Sequence, residues 1–494
     1  MLSYYKYYLF KLILNQFKKE IIKFNIMNQL INNCPTYVIN LAERNDKNTY
    51  IKKLFNEKNI KFEFYRPVKH ENPRRGCLES HLHLIKEAVN KGYDKLLIFE
   101  DDVKFIKSLK DLHSPPKDWN MIYLGGTVHR VMDNKHNGYS RVQTWTTHAY
   151  FVNLKDKTFV NKLLEMEDYN EEVDRFYLEK IHPNYKCYMS NPMIAIQKED
   201  YSDIEGQEVN YNFMQYTLNG LRSPEHEVDE EGNYILKLDK IRNSELPKIS
   251  IITPTYNRRK LFTMALNNYE NFNYPKNKIE WVIVDDSPSD YDSVEDLVSF
   301  MKNVKYIRFR SHDEPMTVAS KRNIGVSNAT HDYIVHMDDD DYYPSESLLA
   351  RIKILMKYES EGIECVGSTL IGTYNIINNT SSMSTDSPIS LSEASMAYTK
   401  KFWERRGFDD LCIRGEHKHF TENRFEQIMD IPYSFILIAI NHRNNMTNEL
   451  RGDSSLLKFS ESNAKFGEIA NFYDTWDIDT QMFIIQLRKY ILDE

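Results

Sequence analysis

Residues 333–344, YIVHMDDDDYYP, drive an apolar run straight into four consecutive aspartates, Asp338 to Asp341. Like charge at that density has two readings. One is a solvated acidic loop, because blocks of like charge usually mark exposed segments. The other is a cation site at the end of a buried strand, since crowded carboxylates suit a hard, oxygen-liganded metal such as Mg²⁺ or Mn²⁺. The run is short and abuts an apolar strand rather than a polar tract, which favours the second reading.

The same junction occurs earlier. Residues 94–105, DKLLIFEDDVKF, lead another short apolar strand into Glu100, Asp101 and Asp102. Two strand-to-carboxylate junctions, one in each half of the chain, point to two copies of one architecture.

At 494 residues the chain is long enough for two or three domains, and 41% hydrophobic with 28% charged residues is ordinary for a soluble globular protein. A net charge of −8 disfavours a general affinity for nucleic acid. The five cysteines lie far apart with no C-x-x-C pair, which suggests neither a zinc site nor a disulfide framework and favours a reducing compartment. The N-terminal stretch YYLFKLIL is broken by Lys11 and is too short to span a bilayer, so the expectation is a cytoplasmic chain. An amphipathic helix giving peripheral membrane contact is an alternative for residues 1–34, and Met27 is an alternative start.

Residues 35–212 alternate short apolar strands (TYVINL, KLLIFE, NMIYLGG, AYFVNL, MIAIQ) with helical stretches, the pattern of an α/β layered sheet. In the helix LESHLHLIKEAVNKG, Leu78, Leu82, Ile85 and Val89 form the buried stripe. His81 and His83 lie off it, so they are either solvated or turned toward a site. Residues 213–246 are polar and irregular and read as a linker. From 247 to 455 the order is strand, helix, strand, strand, helix, strand, with polar residues at the strand ends, where open α/β sheets bind ligands. The tail, 456–494, reads as helical.

A sugar nucleotide needs partners for its base and ribose and a cation for its diphosphate. TPTYNR offers the hydroxyls of Thr253 and Thr255, VDDSPSD offers Asp285 and Asp286, SKRNIG offers Lys321, Arg322 and Asn323, and DDDD offers the metal carboxylates. An ordinary turn after a strand is the plain alternative for Asp285 and Asp286.

These segments, in this order over residues 248–345, resemble the inverting glycosyltransferase family 2, with the GT-A fold. The resemblance implies that Asp338 and Asp340 form the D-x-D pair, with Asp340 the direct metal ligand, and that Asp285 touches the nucleotide. It also implies a general base from a Gly-Glu-Asp-like stretch. In RRGFDDLCIRGEHKHFTENR that position holds Glu416, with His417 in place of the following acid. Glu416 is therefore the expected base, with Asp409 and Asp410 behind it, and His442 a candidate late metal ligand.

The first half resembles a different group, glycosyltransferase family 25, which includes lipopolysaccharide-type and collagen hydroxylysine galactosyltransferases. The carrying motifs are YVINLAERNDK, GCLESHLHLIKEAV, LLIFEDDV, WNMIYLGG, THAYFVN, EEVDRF and YSDIEG. By resemblance Glu100, Asp101 and Asp102 make the metal motif and Arg44 contacts phosphate. Gly76, Ser80 and His81 line the donor cleft, and Asp174 is the acid on the acceptor side. Lys47 stands where the family often has a second arginine, keeping the charge without the bidentate fork. For Ser80 and His81, service at the helix N-terminus is the alternative.

The expectation is thus an α/β chain with two GT-A-like, Rossmann-related nucleotide-sugar transferase domains in tandem. Each would use Mn²⁺ or Mg²⁺ and a nucleoside-diphosphate sugar, by default a UDP-sugar. The acceptor would be a glycan, a lipid-linked glycan or a collagen-like chain, with no nucleic acid. Rival readings are a half that kept the fold as a lectin-like or scaffolding module, and a nucleotidyltransferase, though no glycine-rich phosphate loop supports the latter.

Overall fold

The computed structural model describes residues 34–202, 206–228, 234–237, 242–310, 315–385, 387–442 and 471–492. They divide into two compact units, Met1–Asn219 and Gly220–Glu494. Both are α/β with mixed sheets, the second unit's being parallel-rich.

In the first unit the strand Thr36–Ile39 pairs in parallel with Glu63–Tyr65 on one side and Lys95–Glu100 on the other. Chain order therefore reverses at the first strand, and a crevice opens at the carboxyl ends, where Asn40 and Asp101 stand. The sheet continues antiparallel through Ala149–Asn153 and extends to eight strands. Helix Pro73–Asn90 begins with an Asn72 cap, whose side chain accepts from Arg74 N at 3.0 Å, followed by Pro73 at the first helical position. Leu78, Leu82 and Ile85 are buried as the stripe predicts, while Val89 is half-buried.

In the second unit the strand Ile249–Thr255 is buried at every position, as a strand covered on both faces must be. Ile279–Asp285 and then Val304–Arg308 build out in parallel on one side, and Tyr333–His336 returns to the other. Here too the switch point falls beside the first strand, between Thr255 and the aspartates after His336. Trp281 locks this centre, stacking on Phe262 and Tyr269 and donating from Nε1 to Thr253 Oγ1 at 2.8 Å. Helix Val318–Asn328 lies close on the sheet because Gly325 carries no side chain. A Cβ there would sit 2.5 Å from Ile252 Cγ2.

The segment read as a linker behaves differently. Thr217 Oγ1 accepts from Val128 N at 3.0 Å and Leu218 joins the first core, whereas Leu221 and Leu246 are buried in the second. Its described ends are thus packed parts of the two units, since scattered apolar residues in a polar stretch suffice to bury it. The hairpin His226–Val228 with Tyr234–Leu236 also lies within it. Residues 1–33, and with them the amphipathic reading, lie outside the described residues, as does 456–470. The described tail is helical over Phe472–Thr475 and Ile478–Leu492. Among the described residues no helix is long and apolar enough to cross a membrane.

Candidate functional site

In the second unit the aspartates follow strand Tyr333–His336 through a turn pinned by Tyr343, whose hydroxyl accepts from Asp338 N at 2.9 Å and donates to Ala394 O at 2.9 Å. Asp339, Asp340 and Asp341 are buried, which removes the solvated-loop reading. Two guanidiniums hold them. Arg258 Nη1 donates to Asp339 Oδ1 at 3.1 Å and to Asp340 Oδ2 at 2.6 Å. Arg322 pairs with Asp338 at 2.9 Å and reaches Glu416 Oε1 at 3.5 Å. His442 Nε2 lies 3.1 Å from Asp340 Oδ2. The predicted D-x-D pair, base and late histidine are therefore joined in one buried cluster.

Burial raises Asp339 to about 6, with Arg258 opposing and Asp340 assisting. Asp340 goes the other way, to about 2, because Arg258 and His442 outweigh its burial. Burial and the neighbouring Asp340 and Asp338 push Asp341 well up. Glu416 rises to about 7 through burial and the Glu393 carboxylate, against the pull of Arg322. Glu393 accepts from His417 N at 3.1 Å and pairs with His417 Nδ1 at 2.6 Å, which holds it below the usual range despite burial. A hard divalent cation fits this donor set, because Asp339 Oδ2 is buried without a hydrogen-bond partner among carboxylate oxygens short of positive charge.

Other expected nucleotide contacts are already engaged by the protein. Asp285 is fully buried and accepts from Ser287 N, Ser287 Oγ, Val294 N, Tyr306 Oη and Arg308 Nη1. Asp286 accepts from Lys321 Nζ at 2.8 Å and Met316 N at 2.6 Å. Thr253 Oγ1 donates to Met337 O at 2.7 Å, so it ties the first strand to the aspartate turn. Thr255 is buried at the strand end. Asn323 has both ends occupied. Its Nδ2 donates to Phe408 O and Asp410 Oδ1, and its Oδ1 accepts from Trp403 Nε1 and Phe408 N. Asp285 and Asn323 are thus saturated from within and have no bond left for a ligand, whereas Asp286 takes only two of the bonds a carboxylate can accept. Asp409 and Asp410 are exposed, outside the buried cluster.

In the first unit Arg44, Gly76, Ser80, His81, Glu100, Asp101, Asp102 and Asp174 all line one cavity of about 620 Å³. Asp101 accepts from Asn40 Nδ2 at 2.6 Å and pairs with Lys47 Nζ at 3.3 Å, which lies 3.8 Å from Asp102. Burial still raises both, Asp102 to about 7, since Lys47 is a single charge facing two carboxylates. Asp102 Oδ1 is buried without a hydrogen-bond partner, so a cation fits here as well. Asp174 accepts from Thr146 N at 3.3 Å, and its burial raises its pKa. Arg44 pairs with Asp46 at 3.0 Å at the cavity rim. Gly76 is needed for close approach, since a Cβ there would meet His70 Cβ at 2.9 Å. Ser80 Oγ donates to Gly76 O at 2.6 Å, one turn back within the helix, whose N-terminus is served by Asn72 rather than by Ser80. His81 is buried and turned to the site, 3.3 Å from Glu100 Oε1, whereas His83 is exposed.

Sequence reasoning missed Arg258, Glu393, Asn40 and Cys77. Arg258 ends the quoted TPTYNR, but Glu393 belongs to no motif, and its partner His417 lies 24 residues further on.

Residues 250–385 match the model of Glycosyl transferase family 2, and residues 72–195 that of Glycosyltransferase family 25 (LPS biosynthesis protein). The chain is 28% identical over 115 residues to the poly(ribitol-phosphate) beta-N-acetylglucosaminyltransferase TarS of Staphylococcus aureus, covering 23% of this chain and 20% of that protein. It is 30% identical over 129 residues to the GalNAc(5)-diNAcBac-PP-undecaprenol beta-1,3-glucosyltransferase of Campylobacter jejuni, covering 26% of this chain and 39% of that one. The chain thus spans well under half the length of these relatives. Among solved structures, the mannosyltransferase PcManGT of Pyrobaculum calidifontis, in complex with GDP-Man and Mn²⁺, is similar at TM-score 0.34 and 16% identity, covering 51% of this chain and 72% of that one. S. aureus TarS 1–349 with UDP-GlcNAc is similar at TM-score 0.33 and 16% identity, covering 49% and 81%.

Proposed function

We propose that the chain is a glycosyltransferase with one nucleotide-sugar site per unit, transferring sugars from nucleoside-diphosphate donors to hydroxyls of a glycan or lipid-linked glycan. The observation that carries this reading is the convergence of Asp338, Asp340, His442 and Glu416 around Arg258 and Arg322 at the switch point of the second sheet, with both aspartates inside the stretch matching family 2 and Glu416 and His442 downstream of it. The default donor is a UDP-sugar, and the cation is Mn²⁺ or Mg²⁺.

Asp338, Asp340 and His442 would hold the cation, which would supply the charge that offsets the diphosphate of the leaving group. Glu416, raised to about 7, takes the proton from the acceptor hydroxyl, which attacks the anomeric carbon in line and inverts it. Arg322 positions that carboxylate against the metal turn through its ion pair with Asp338. In the first unit Asp101 and Asp102 face the donor cavity with Lys47 as their fixed counter-charge, and Asp174 stands on the acceptor side.

The test is donor binding by calorimetry with Mn²⁺, and sugar-nucleotide hydrolysis, for wild type, Asp102→Ala, Asp340→Ala and the double variant. Loss of a different donor in each single variant is the expected result. If only one substitution matters, the other unit is a binding or scaffolding module. A wild type that neither binds nor turns over any UDP- or GDP-sugar overturns the reading.

A further inference from the structure

The side chains of the Glu100-Asp101-Asp102 run face different partners. Asp101 faces Asn40 and Lys47, whereas Glu100, the last residue of its strand, faces the helix Pro73–Asn90. There Cys77 and His81 lie four residues apart, on one helix face. One ligating atom from each of Cys77, His81 and Glu100 lies within 4.8 Å of the other two. His81 is 0% exposed, and its Nε2 is buried without a hydrogen-bond partner, with Glu100 Oε1 at 3.3 Å. Its other ring nitrogen is held by the Tyr150 hydroxyl at 2.7 Å, itself 3.0 Å from the Tyr177 hydroxyl. An outer partner on Nδ1 that orients the ring and leaves Nε2 pointing at two further donors is how metal-binding histidines are built.

We propose that Cys77, His81 and Glu100 bind a thiophilic divalent cation of the Zn²⁺ class. A sulfur, an imidazole nitrogen and a carboxylate select such an ion over Mg²⁺ or Mn²⁺. Three protein ligands leave a fourth tetrahedral position, which opens on the cavity that all three line. Binding releases the Cys77 thiol proton to solvent, and the thiolate becomes the ligand. The site stands on its own donor set and does not depend on the transferase reading. It separates a soft cation at Glu100 from the hard-cation role of Asp101 and Asp102.

The test loads the chelator-stripped full chain with Co²⁺ and reads the thiolate-to-cobalt charge-transfer absorption, with Zn²⁺ as competitor. Wild type should show the band, and Cys77→Ser should lack it. His81→Gln should weaken Co²⁺ binding at least about 100-fold, and Tyr150→Phe, which removes only the outer partner, about 10- to 100-fold. Circular dichroism checks that each variant is folded. If neither ligand variant folds, alkylation of Cys77 in wild type, followed by mass spectrometry, decides: Zn²⁺ should slow it. No band in wild type, a band that persists in Cys77→Ser, unchanged alkylation, or binding lost only in Asp101→Asn or Asp102→Asn overturns the proposal.

Discussion

Arg322 Nη1 lies 2.9 Å from Asp338 Oδ1, with both groups shut off from most solvent by the second sheet. Glu416 approaches the same guanidinium at 3.5 Å, so one buried arginine ties the aspartate turn to Glu416. Removing one partner of a buried pair leaves the others uncompensated, so Arg322→Met should cost about 3–5 kcal/mol of stability. Arg322→Lys keeps the charge but cannot fork between two carboxylates, and should fall between wild type and Arg322→Met. Denaturant unfolding of the three proteins measures this. A loss under about 1 kcal/mol for Arg322→Met would place the cluster in water rather than in the core.

The raised pKa of Glu416 makes two opposite predictions for pH. A base works deprotonated, so transfer by the second unit should climb as pH rises through about 7. Stability runs the other way. A carboxyl whose folded pKa exceeds its ordinary 4.5 binds its proton more tightly when folded, so its contribution is full below about 4.5 and is lost as pH rises through about 7. Glu416→Gln should flatten both profiles and lower kcat about 10²- to 10⁴-fold with donor affinity retained. A pH–rate profile still rising through 7 in Glu416→Gln would move the base elsewhere.

The strands and their terminal acids are legible in the sequence because periodicity and composition are local. KLLIFE is the strand Lys95–Glu100, and the apolar run before DDDD is Tyr333–His336. Whether an end-of-strand polar residue is free for a ligand is not local. Asn323 sits in a motif that invites a ligand role, yet its partners lie 80 to 87 residues away, at Trp403, Phe408 and Asp410. Asp285 is saturated by donors from Ser287 to Arg308 that no spacing rule brings together. The Cys77–His81 spacing is visible on the helix, but a search for cysteine pairs passes over it. Glu100 groups with its neighbours in sequence, whereas its partners stand on the helix Pro73–Asn90.

Asn323→Ala tests that saturation. Its four hydrogen bonds anchor the chain at 403–410, so truncation should destabilise the second unit by about 1–3 kcal/mol through the groups left unpaired. Donor affinity, measured by calorimetry below the unfolding temperature, should stay within about twofold of wild type, well under one hydrogen bond's worth. A selective loss of donor binding in a variant of unchanged stability would return Asn323 to the nucleotide site.

Arg258 supplies positive charge that the aspartate cluster needs when no metal is bound. Arg258→Gln should leave Asp339 and Asp340 facing each other, lowering stability by about 3–5 kcal/mol in chelator. Saturating Mn²⁺ binds the folded cluster and should restore part of that loss, so its thermal shift should be larger in the variant than in wild type. Equal shifts in the two proteins would mean that Mn²⁺ binds away from Asp339 and Asp340.

Two glycines separate backbone crowding from side-chain crowding. A Cβ on Gly125 would lie 1.7 Å from Ala195 O, a carbonyl fixed in the strand Ala195–Gln197. That strand pairs with Val103–Phe105, directly after Asp102, and Lys198 N donates to Asp102 O at 2.6 Å. A Cβ on Gly325 would press on the Ile252 side chain, with Cγ2 nearest at 2.5 Å, and a rotamer change with a small helix shift can relieve that. Gly325→Ala should therefore cost about 1–3 kcal/mol, the usual range for overpacking, and leave the second unit folded. In Gly125→Ala the nearest obstacle is backbone, which no rotamer change moves, so the cost should exceed about 3 kcal/mol and the strand that borders Asp102 should shift. Thermal unfolding ranks the two variants, and Mn²⁺-dependent donor binding reports the site. Should Gly125→Ala prove the milder substitution, the strand Ala195–Gln197 is not held against Gly125 as its hydrogen bonds to Leu124 O, at 2.7 Å from Ile194 N and 3.1 Å from Ala195 N, require.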